Sequence, residues 1–434
     1  MRTIVHNNVT VGENGHLFFA GMDTTELAEA YGTPVILIDE DRVRARIREY
    51  RDTLRACIGE SSMPLFASKA LSFKELYRIV ASEGVGTDIV SPGELYTAVC
   101  AGFPMERAFF HGNNKTDADI AYAIRNGIGY FVVDNPEELD AIDTEAGRAG
   151  IRQKILLRIT PGIDPHTHQK ISTGGVDSKF GSAIETGLAE RITRMALDKE
   201  NIELCGFHCH IGSQIFEIEP FVLAADIMIG FLADMRDKLG FTASVLNLGG
   251  GIGVRYVESD PEISVTQNVK AICDHVRATC EKHGVTLPTV YMEPGRSIVA
   301  DAGMTLYTVG SVKEIEGFKN YVSIDGGMTD NPRYTLYQSA YTVLLANRAD
   351  EPADALYTVG GRCCESGDII QENVSLPHPE RGDLLAVLVT GAYNYSMASH
   401  YNRVTRPPVV LLRNGESRLA VRRERFEDLV ACDI

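Results

Sequence analysis

The chain has 434 residues, 44% of them apolar, which at about 150 residues per domain suggests two or three domains with a large buried core and excludes a disordered chain. Forty-two Lys and Arg against 59 Asp and Glu leave a net charge of −17, which argues against a general nucleic-acid binder but not against a small anion held in a local basic pocket. The first ten residues carry no signal-peptide apolar run, no stretch reaches the roughly 18 apolar residues of a membrane span, and the nine scattered cysteines lack a CxxC pair, so a reducing cytoplasm is expected.

Asp23-Thr-Thr-Glu26 reads as an N-cap with its capping-box acid, and Gly32 with Pro34 ends that short helix. Residues 34–38 form a strand, and Asp39 caps a helix whose Val43, Ile47, Tyr50 and Leu54 share one face. The chain then alternates. Strand-like runs fall at 63–67, 86–90, 107–111, 129–133, 153–159, 202–208, 243–248 and 288–293. Helical patterns lie between them, among them 73–82, 94–101, 118–126, 136–148, 186–197 and 269–283. The longest apolar run, 221–235, includes Asp226 and Asp234 and places Phe221, Ala225, Met228, Leu232 and Met235 on one helical stripe. Eight strands alternating with helices predict an α/β fold, a (β/α)8 barrel, with a doubly wound open sheet as the rival. After about residue 300 strand patterns with turn residues take over, at 304–309, 321–324, 355–359 and 384–389. Residues 409–412 and 418–421 flank Asn414-Gly415, a hairpin signal. A C-terminal β-rich domain therefore follows the barrel.

Barrel enzymes carry their chemistry at the C-terminal ends of the strands. Those ends present Lys69, Asp88 with Ser91, His111, Asp134, Arg158, His208 with His210, Gly249 to Gly253, and Glu293 with Arg296. Alone, Lys69 reads as a surface lysine. At a barrel mouth it becomes partly desolvated, which lowers its pKa and suits it to a Schiff base with a carbonyl. The run Asn247-Leu-Gly-Gly-Gly-Ile-Gly253 after strand seven has more glycine than a plain turn needs, and suits backbone N–H groups converging on an anion. Gly295 and Arg296 after strand eight complete a phosphate site of the kind barrels build there. Glu293 could bind a metal, act as a base or hold a protonated ring nitrogen. His208 and His210 share one face, and an HxH pair suggests a metal. Amidohydrolase-type barrels carry theirs on strand one, however, so no metal is expected. His166 and His168 read as solvated loop residues. A lysine, a phosphate cup and a carboxylate for a ring nitrogen together describe a pyridoxal 5'-phosphate site.

The motifs Phe66-Ala-Ser-Lys69, His111-Gly-Asn-Asn-Lys115, His208-Cys-His-Ile-Gly-Ser-Gln214, Leu248-Gly-Gly-Gly251 and Glu293-Pro-Gly-Arg-Ser297 resemble the diaminopimelate decarboxylases of the fold-type III pyridoxal-phosphate group. So do Asp325-Gly-Gly-Met, Asp330-Asn-Pro-Arg333, Cys364-Glu-Ser-Gly-Asp368, Gly391-Ala-Tyr393, Ser396-Met-Ala-Ser399 and Tyr401-Asn402, all in order. The resemblance implies an N-terminal segment (1–40) packing with the β domain, a cofactor-binding barrel (41–302) and a C-terminal β domain (303–434). It implies decarboxylation of meso-2,6-diaminopimelate to L-lysine and CO2, the last step of lysine biosynthesis, by a cytoplasmic homodimer with shared active sites. Lys69 would hold the cofactor covalently and His210 would stack on its ring. Ser213, Gly250, Gly251, Gly295 and Arg296 would hold its phosphate and Glu293 its ring nitrogen, with Asp88 and Tyr393 also in contact with it. Arg296, Arg333, Tyr337, Tyr393 and Glu365 would bind substrate. Cys364, reaching in with Glu365 from the partner subunit, would be the proton donor.

The substrate's distal carboxylate suits arginine, which would be left unpaired against ornithine or lysine at a cost of roughly 1–3 kcal/mol. The bland reading of Arg333 is an interface ion pair. Departures from the common pattern are Ser68 and Leu71 beside the lysine, Asn247 where Asp is frequent, and His400 for a frequent Asn. Cys363 is expected to be a buried, silent thiol. Residues 170–181, rich in glycine and polar groups, read as a mobile lid. The alternatives are a decarboxylase of another basic amino acid or polyamine precursor, a metal-dependent barrel hydrolase, and a non-catalytic pyridoxal-phosphate carrier. Against the carrier stand the β domain and its Cys364 and Glu365.

Overall fold

The computed structural model describes residues 4–163, 175 and 178–434. His166, His168 and most of the segment expected to form a lid lie outside these. Two compact units emerge: Arg44–Gly253 with Ile263–Ser297, and Met1–Val43 with Val254–Glu262 and Ile298–Ile434.

The first unit is the barrel. Its strands are Met63–Ala67, Gly86–Ile89, Ala108–Phe110, Tyr130–Val133, Gln153–Thr160, Ile202–His208, Val245–Asn247 and Thr289–Met292. Each pairs in parallel with the next, and the eighth pairs with the first through Tyr291 and Met63, so the sheet closes and the open-sheet alternative falls. Leu65, Phe109, Val132, Leu156, Cys205, Val245 and Tyr291 form a buried cluster. Phe109 stacks on Tyr130 with centroids 4.4 Å apart and meets Tyr291 edge-on at 5.3 Å. Each such side chain contributes roughly 1.5–3 kcal/mol by leaving water. On the outside, the stripe Phe221, Ala225, Met228, Leu232 and Met235 of helix Glu219–Leu239 is buried. Strand six must pass close to strand seven at Gly206, where a Cβ would lie 1.9 Å from the Val245 carbonyl oxygen. Among the described residues no helix is long and apolar enough to cross a membrane.

The second unit is a β-rich sheet in which the N-terminal segment takes part. Strand Val35–Asp39, buried throughout, runs antiparallel to Gly303–Lys313 on one side and parallel to Val409–Arg413 on the other. Gly303–Lys313 pairs through its first half with Leu384–Leu388 as well. Past a register shift between Val309 and Ser311 it pairs with Tyr321–Ile324. The Asn414-Gly415 turn has φ of +52° and +76° and joins Val409–Arg413 to the edge strand Glu416–Val421, as its sequence requires. The sequence reading did not include strand Ile369–Leu376 or the small meander Val9–Val11, Leu17–Phe19, Met22–Asp23.

Candidate active site

Strand one ends in a single 3-10 turn, Ser68–Ala70, that carries Lys69. Ser68 is buried and donates to the Asp88 carbonyl at 2.7 Å, tying this turn to strand two. Asp88 is itself buried, with Oδ1 lacking a hydrogen-bond partner. Burial pushes its carboxyl up, against the opposing pull of His111 and Lys69. Glu94, on the next helix, accepts from Val90 N at 2.7 Å and is pushed up to about 7 by burial, with Asp88 adding to the shift.

Opposite in sequence, strand eight delivers Glu293 into a nest of donors. Asn247 Nδ2 donates to Oε1 at 2.7 Å, and His208 Nε2 lies 3.0 Å from Oε2. His111 Nε2 lies 2.9 Å from Oε1, outside hydrogen-bond alignment, and its ring meets that of His208 edge-on at 4.9 Å. Burial raises the Glu293 carboxyl, but the two imidazoles outweigh it and hold it well below the usual carboxylate range. Burial pushes His208 down to about 4, so at neutral pH it is a neutral donor to an ionised Glu293. His111, His208 and Glu293 bring three donor atoms within 4.8 Å of one another. The carboxylate is already engaged by N–H donors, so the group reads as a braced anion and no metal is assigned to it. The HxH pair therefore splits: His208 serves Glu293, whereas His210 Nδ1 accepts from Gly250 N at 3.3 Å. Burial holds His210 well below its ordinary value, leaving its ring neutral.

The glycine run lets three loop backbones stack. A Cβ on Gly250 would lie 2.0 Å from the Glu293 carbonyl oxygen, and one on Gly251 (φ +122°) 2.4 Å from that of Gly212. Gly295 packs on strand one less tightly, a Cβ there lying 3.0 Å from the Ala67 Cβ. The backbone N–H groups of Ser213, Gly251 and Gly295 have no partner among the described residues. Arg296 is buried and donates from Nε and Nη2 to Ser213 Oγ at 3.3 and 3.1 Å. A cup of convergent N–H groups with a guanidinium suits a phosphate. With Lys69 at one wall, the unpartnered Asp88 oxygen and the ionised Glu293, these residues fit pyridoxal 5'-phosphate.

In the β-rich unit, Arg333 is buried in a cage of tyrosines, with the ring centroids of Tyr256, Tyr337 and Tyr393 at 5.4, 5.8 and 5.9 Å. It makes no ion pair among the described residues, and its buried Nε lacks a partner. Tyr393 holds a left-handed backbone (φ +61°) two residues after Gly391, whose Cβ would meet the Val299 carbonyl oxygen at 1.8 Å. Cys364 and Glu365 are exposed on a loop anchored by Asp368, which accepts from Met328 N at 2.6 Å and Cys363 N at 2.7 Å. Cys364 N donates to Asn402 Oδ1 at 2.8 Å. Cys363 is half-buried, with its thiol pushed up to about 11 by burial and by Asp368. Two groups thus emerge, one at the barrel mouth and one around Arg333, and the Cys364 loop is tied to the helix that carries Arg333 and Tyr337 by Thr335 Oγ1, which donates to the Gly367 carbonyl at 2.8 Å. Sequence reasoning placed His111 and Asn247 at strand ends and gave neither a role. Only the closing register brings strands three, six, seven and eight around one carboxylate. Arg158 lies inside strand five rather than at its end, with its guanidinium 4.3 Å from the Phe180 ring.

Residues 40–300 match the family described as pyridoxal-dependent decarboxylase, pyridoxal binding domain. The chain is 45% identical to a diaminopimelate decarboxylase of Bacillus subtilis, over 99% of this chain and 98% of the relative. It is 46% identical to one of Halalkalibacterium halodurans, with 99% and 98% covered. A crystal structure of diaminopimelate decarboxylase from M. jannaschii in complex with L-lysine superposes with a TM-score of 0.91 at 34% identity, covering 99% of this chain and 98% of that one.

Proposed function

The chain belongs to the diaminopimelate decarboxylase family of pyridoxal-dependent decarboxylases, and from that premise we propose how its own residues serve the reaction. It decarboxylates meso-2,6-diaminopimelate to L-lysine and CO2 with pyridoxal 5'-phosphate, the last step of lysine biosynthesis. The observation that supports the residue assignment best is the convergence on one barrel mouth of Lys69, the stacked glycine loops and a carboxylate braced by Asn247 and His208.

When bound, the cofactor supplies an electron sink for the carbon that loses CO2. Lys69 would supply the amine that holds the cofactor by its aldehyde. Ser213, Gly250, Gly251, Gly295 and Arg296 cradle the phosphate. Glu293, ionised and held by N–H donors, keeps a proton on the ring nitrogen, because an adjacent anion favours the cationic form. His210, neutral and fixed by Gly250 N–H, packs beside the ring, and Asp88 and Tyr393 complete the polar contacts. Arg333, with a buried unpartnered Nε, would offer its guanidinium to the distal carboxylate, with Tyr337 and Tyr393 beside it, and Arg296 would be a further substrate-binding arginine. Glu365 takes the distal ammonium. Cys364 delivers the proton to the decarboxylated carbon.

The exposure of Cys364 and Glu365 in the isolated chain supports a homodimer in which these two reach the partner's barrel. The functional division we propose remains 1–40, 41–302 and 303–434, although the compact units cut at 43/44 and 297/298 and place 254–262 with the β-rich sheet, and the free cysteines fit the cytoplasm. The assignment is tested by release of CO2 and lysine from meso-diaminopimelate with added cofactor. Wild type should produce lysine, and Lys69→Ala should lose turnover by at least about a thousandfold. Turnover by Lys69→Ala at the wild-type rate would overturn the role of Lys69.

A further inference from the structure

The loop that carries Cys364 and Glu365 joins strand Ala355–Gly360 to strand Ile369–Leu376, and the ladder between them ends at the pair Gly360 and Ile369. Residues 364–367 are all exposed, so packing against a core does not give this stretch its shape. Hydrogen bonds do, and they converge on one buried side chain, Asp368. Its Oδ2 accepts from Cys363 N at 2.7 Å and its Oδ1 from Met328 N at 2.6 Å. The Asp368 main chain closes the same loop, its carbonyl accepting from Gly361 N at 2.8 Å and its N–H donating to the Glu365 carbonyl at 3.1 Å. Two glycines make room for the carboxylate. A Cβ on Gly361 would lie 2.3 Å from either oxygen, and one on Gly327 2.5 Å from Oδ1. From another part of the chain, Asn402 Oδ1 accepts from Cys364 N at 2.8 Å. The ends of the loop have further ties, Arg362 N to the Gly326 carbonyl at 2.9 Å and Thr335 Oγ1 to the Gly367 carbonyl at 2.8 Å. The N–H groups of Cys363 and Cys364 have no second acceptor among the described residues.

We propose that Asp368 and Asn402 are positioning residues that hold the Cys364 loop in the one shape from which its thiol serves the reaction. A carboxylate accepts on both oxygens, whereas an asparagine of the same shape turns N–H toward one of the two donors. The Met328 turn is the better held of the two, since Gly327 N also donates to Asp330 Oδ1 at 3.0 Å and Asn331 N to the Gly327 carbonyl at 2.8 Å. The amide of Asp368→Asn would therefore keep its oxygen on Met328 N and set its own N–H against Cys363 N, releasing the Cys364 side. The proposal rests on the reading of Cys364 as proton donor, and its test separates the two.

The holoenzyme is assayed at saturating meso-diaminopimelate in H2O and in D2O as wild type, Asp368→Asn, Asn402→Ala and Cys364→Ala, and hydrogen exchange of the loop amides is followed in the same proteins. Saturation keeps any loss of substrate binding through a displaced Glu365 out of kcat. Asp368→Asn and Asn402→Ala should each lower kcat at least about tenfold, because a donor displaced by about 1 Å delivers its proton poorly. The solvent isotope effect on kcat should exceed that of wild type by a factor of about 1.5 or more, as proton delivery becomes the slow step. Loss of folded enzyme alone lowers the rate and leaves that ratio where it was. The Cys363 amide should exchange at least about tenfold faster in Asp368→Asn. An unchanged kcat and isotope effect in either variant would overturn the proposal, as would unchanged exchange at Cys363. Should Asp368→Asn fail to fold, Asn402→Ala, altered at an exposed position, decides by the same kcat and isotope effect. If Cys364→Ala keeps the wild-type kcat, the proton-donor reading falls, and exchange at Cys363 in Asp368→Asn still decides whether Asp368 holds the loop.

Discussion

At the scale of single residues, the site is a set of titratable groups pushed away from their ordinary values by burial. Glu94 is the clearest case that can be tested without substrate. Its carboxyl rises from 4.5 in the open chain to about 7 through burial, with Asp88 nearby adding to the shift. A carboxyl raised in the folded state binds its proton more tightly there than in the unfolded chain. Stability is therefore lost as pH rises from about 4.5 to about 7. Glu94→Gln keeps an oxygen for Val90 N–H and removes the titration. The variant should gain on the order of 1–3 kcal/mol relative to wild type between pH 5 and pH 8, read from denaturant unfolding. A constant difference across that range would mean that Glu94 does not titrate in this window. Residue types and their order along the chain were enough to find Lys69, the glycine run, Arg296 and Glu293. They could not show that His111, His208 and Asn247 converge on Glu293. That convergence depends on which side chains turn inward in a closed barrel, a property of register rather than of spacing.

At the scale of elements, the barrel strands were legible because each is a short apolar run bounded by turn residues. Strand Ile369–Leu376 was not, since Gln371, Glu372 and Asn373 break its apolar pattern and its pairing with Ala355–Gly360 is interrupted by register shifts. The meander at residues 9–23 has strands of two or three residues, too short to show a period. Loop architecture carries the strictest steric demand. A Cβ at Gly250 would meet main-chain oxygen at 2.0 Å, and main chain cannot rotate aside as a side chain can. Gly250→Ala should push the strand-seven loop off the strand-eight loop and weaken cofactor binding at least about tenfold, measured by equilibrium dialysis. Unchanged affinity would show that the stacked loops do not form the phosphate cup.

At the scale of the whole molecule, the β-rich unit is discontinuous in sequence. Its strand Val35–Asp39 is flanked on both sides, so deleting residues 1–40 removes an interior strand rather than an edge. The truncated chain should fail to form this sheet and should aggregate. A soluble product with the wild-type circular dichroism spectrum would contradict the role given to this strand. The proposed sharing of sites between subunits is tested by mixing Lys69→Ala with Cys364→Ala. Random exchange of two-fold dimers should restore roughly a quarter of wild-type activity, because half the dimers are mixed and each carries one intact site. No recovery after subunit exchange would place Cys364 and Lys69 of one site on the same chain.

The position of Val35–Asp39 between a middle and a late segment also sets the order of events during synthesis. Its parallel neighbour, Val409–Arg413, leaves the ribosome some 370 residues later, which at 5–20 residues per second is a wait of roughly 20–70 s. Residues 44–297 can close their barrel in that interval. The apolar strand ahead of them stays unpaired until Gly303–Lys313 emerges and keeps one open edge until the tail of the chain arrives. Nascent chains of this protein therefore carry an apolar segment near their leading end that lacks first both neighbours and then one, and slow or stalled synthesis should favour aggregation over folding.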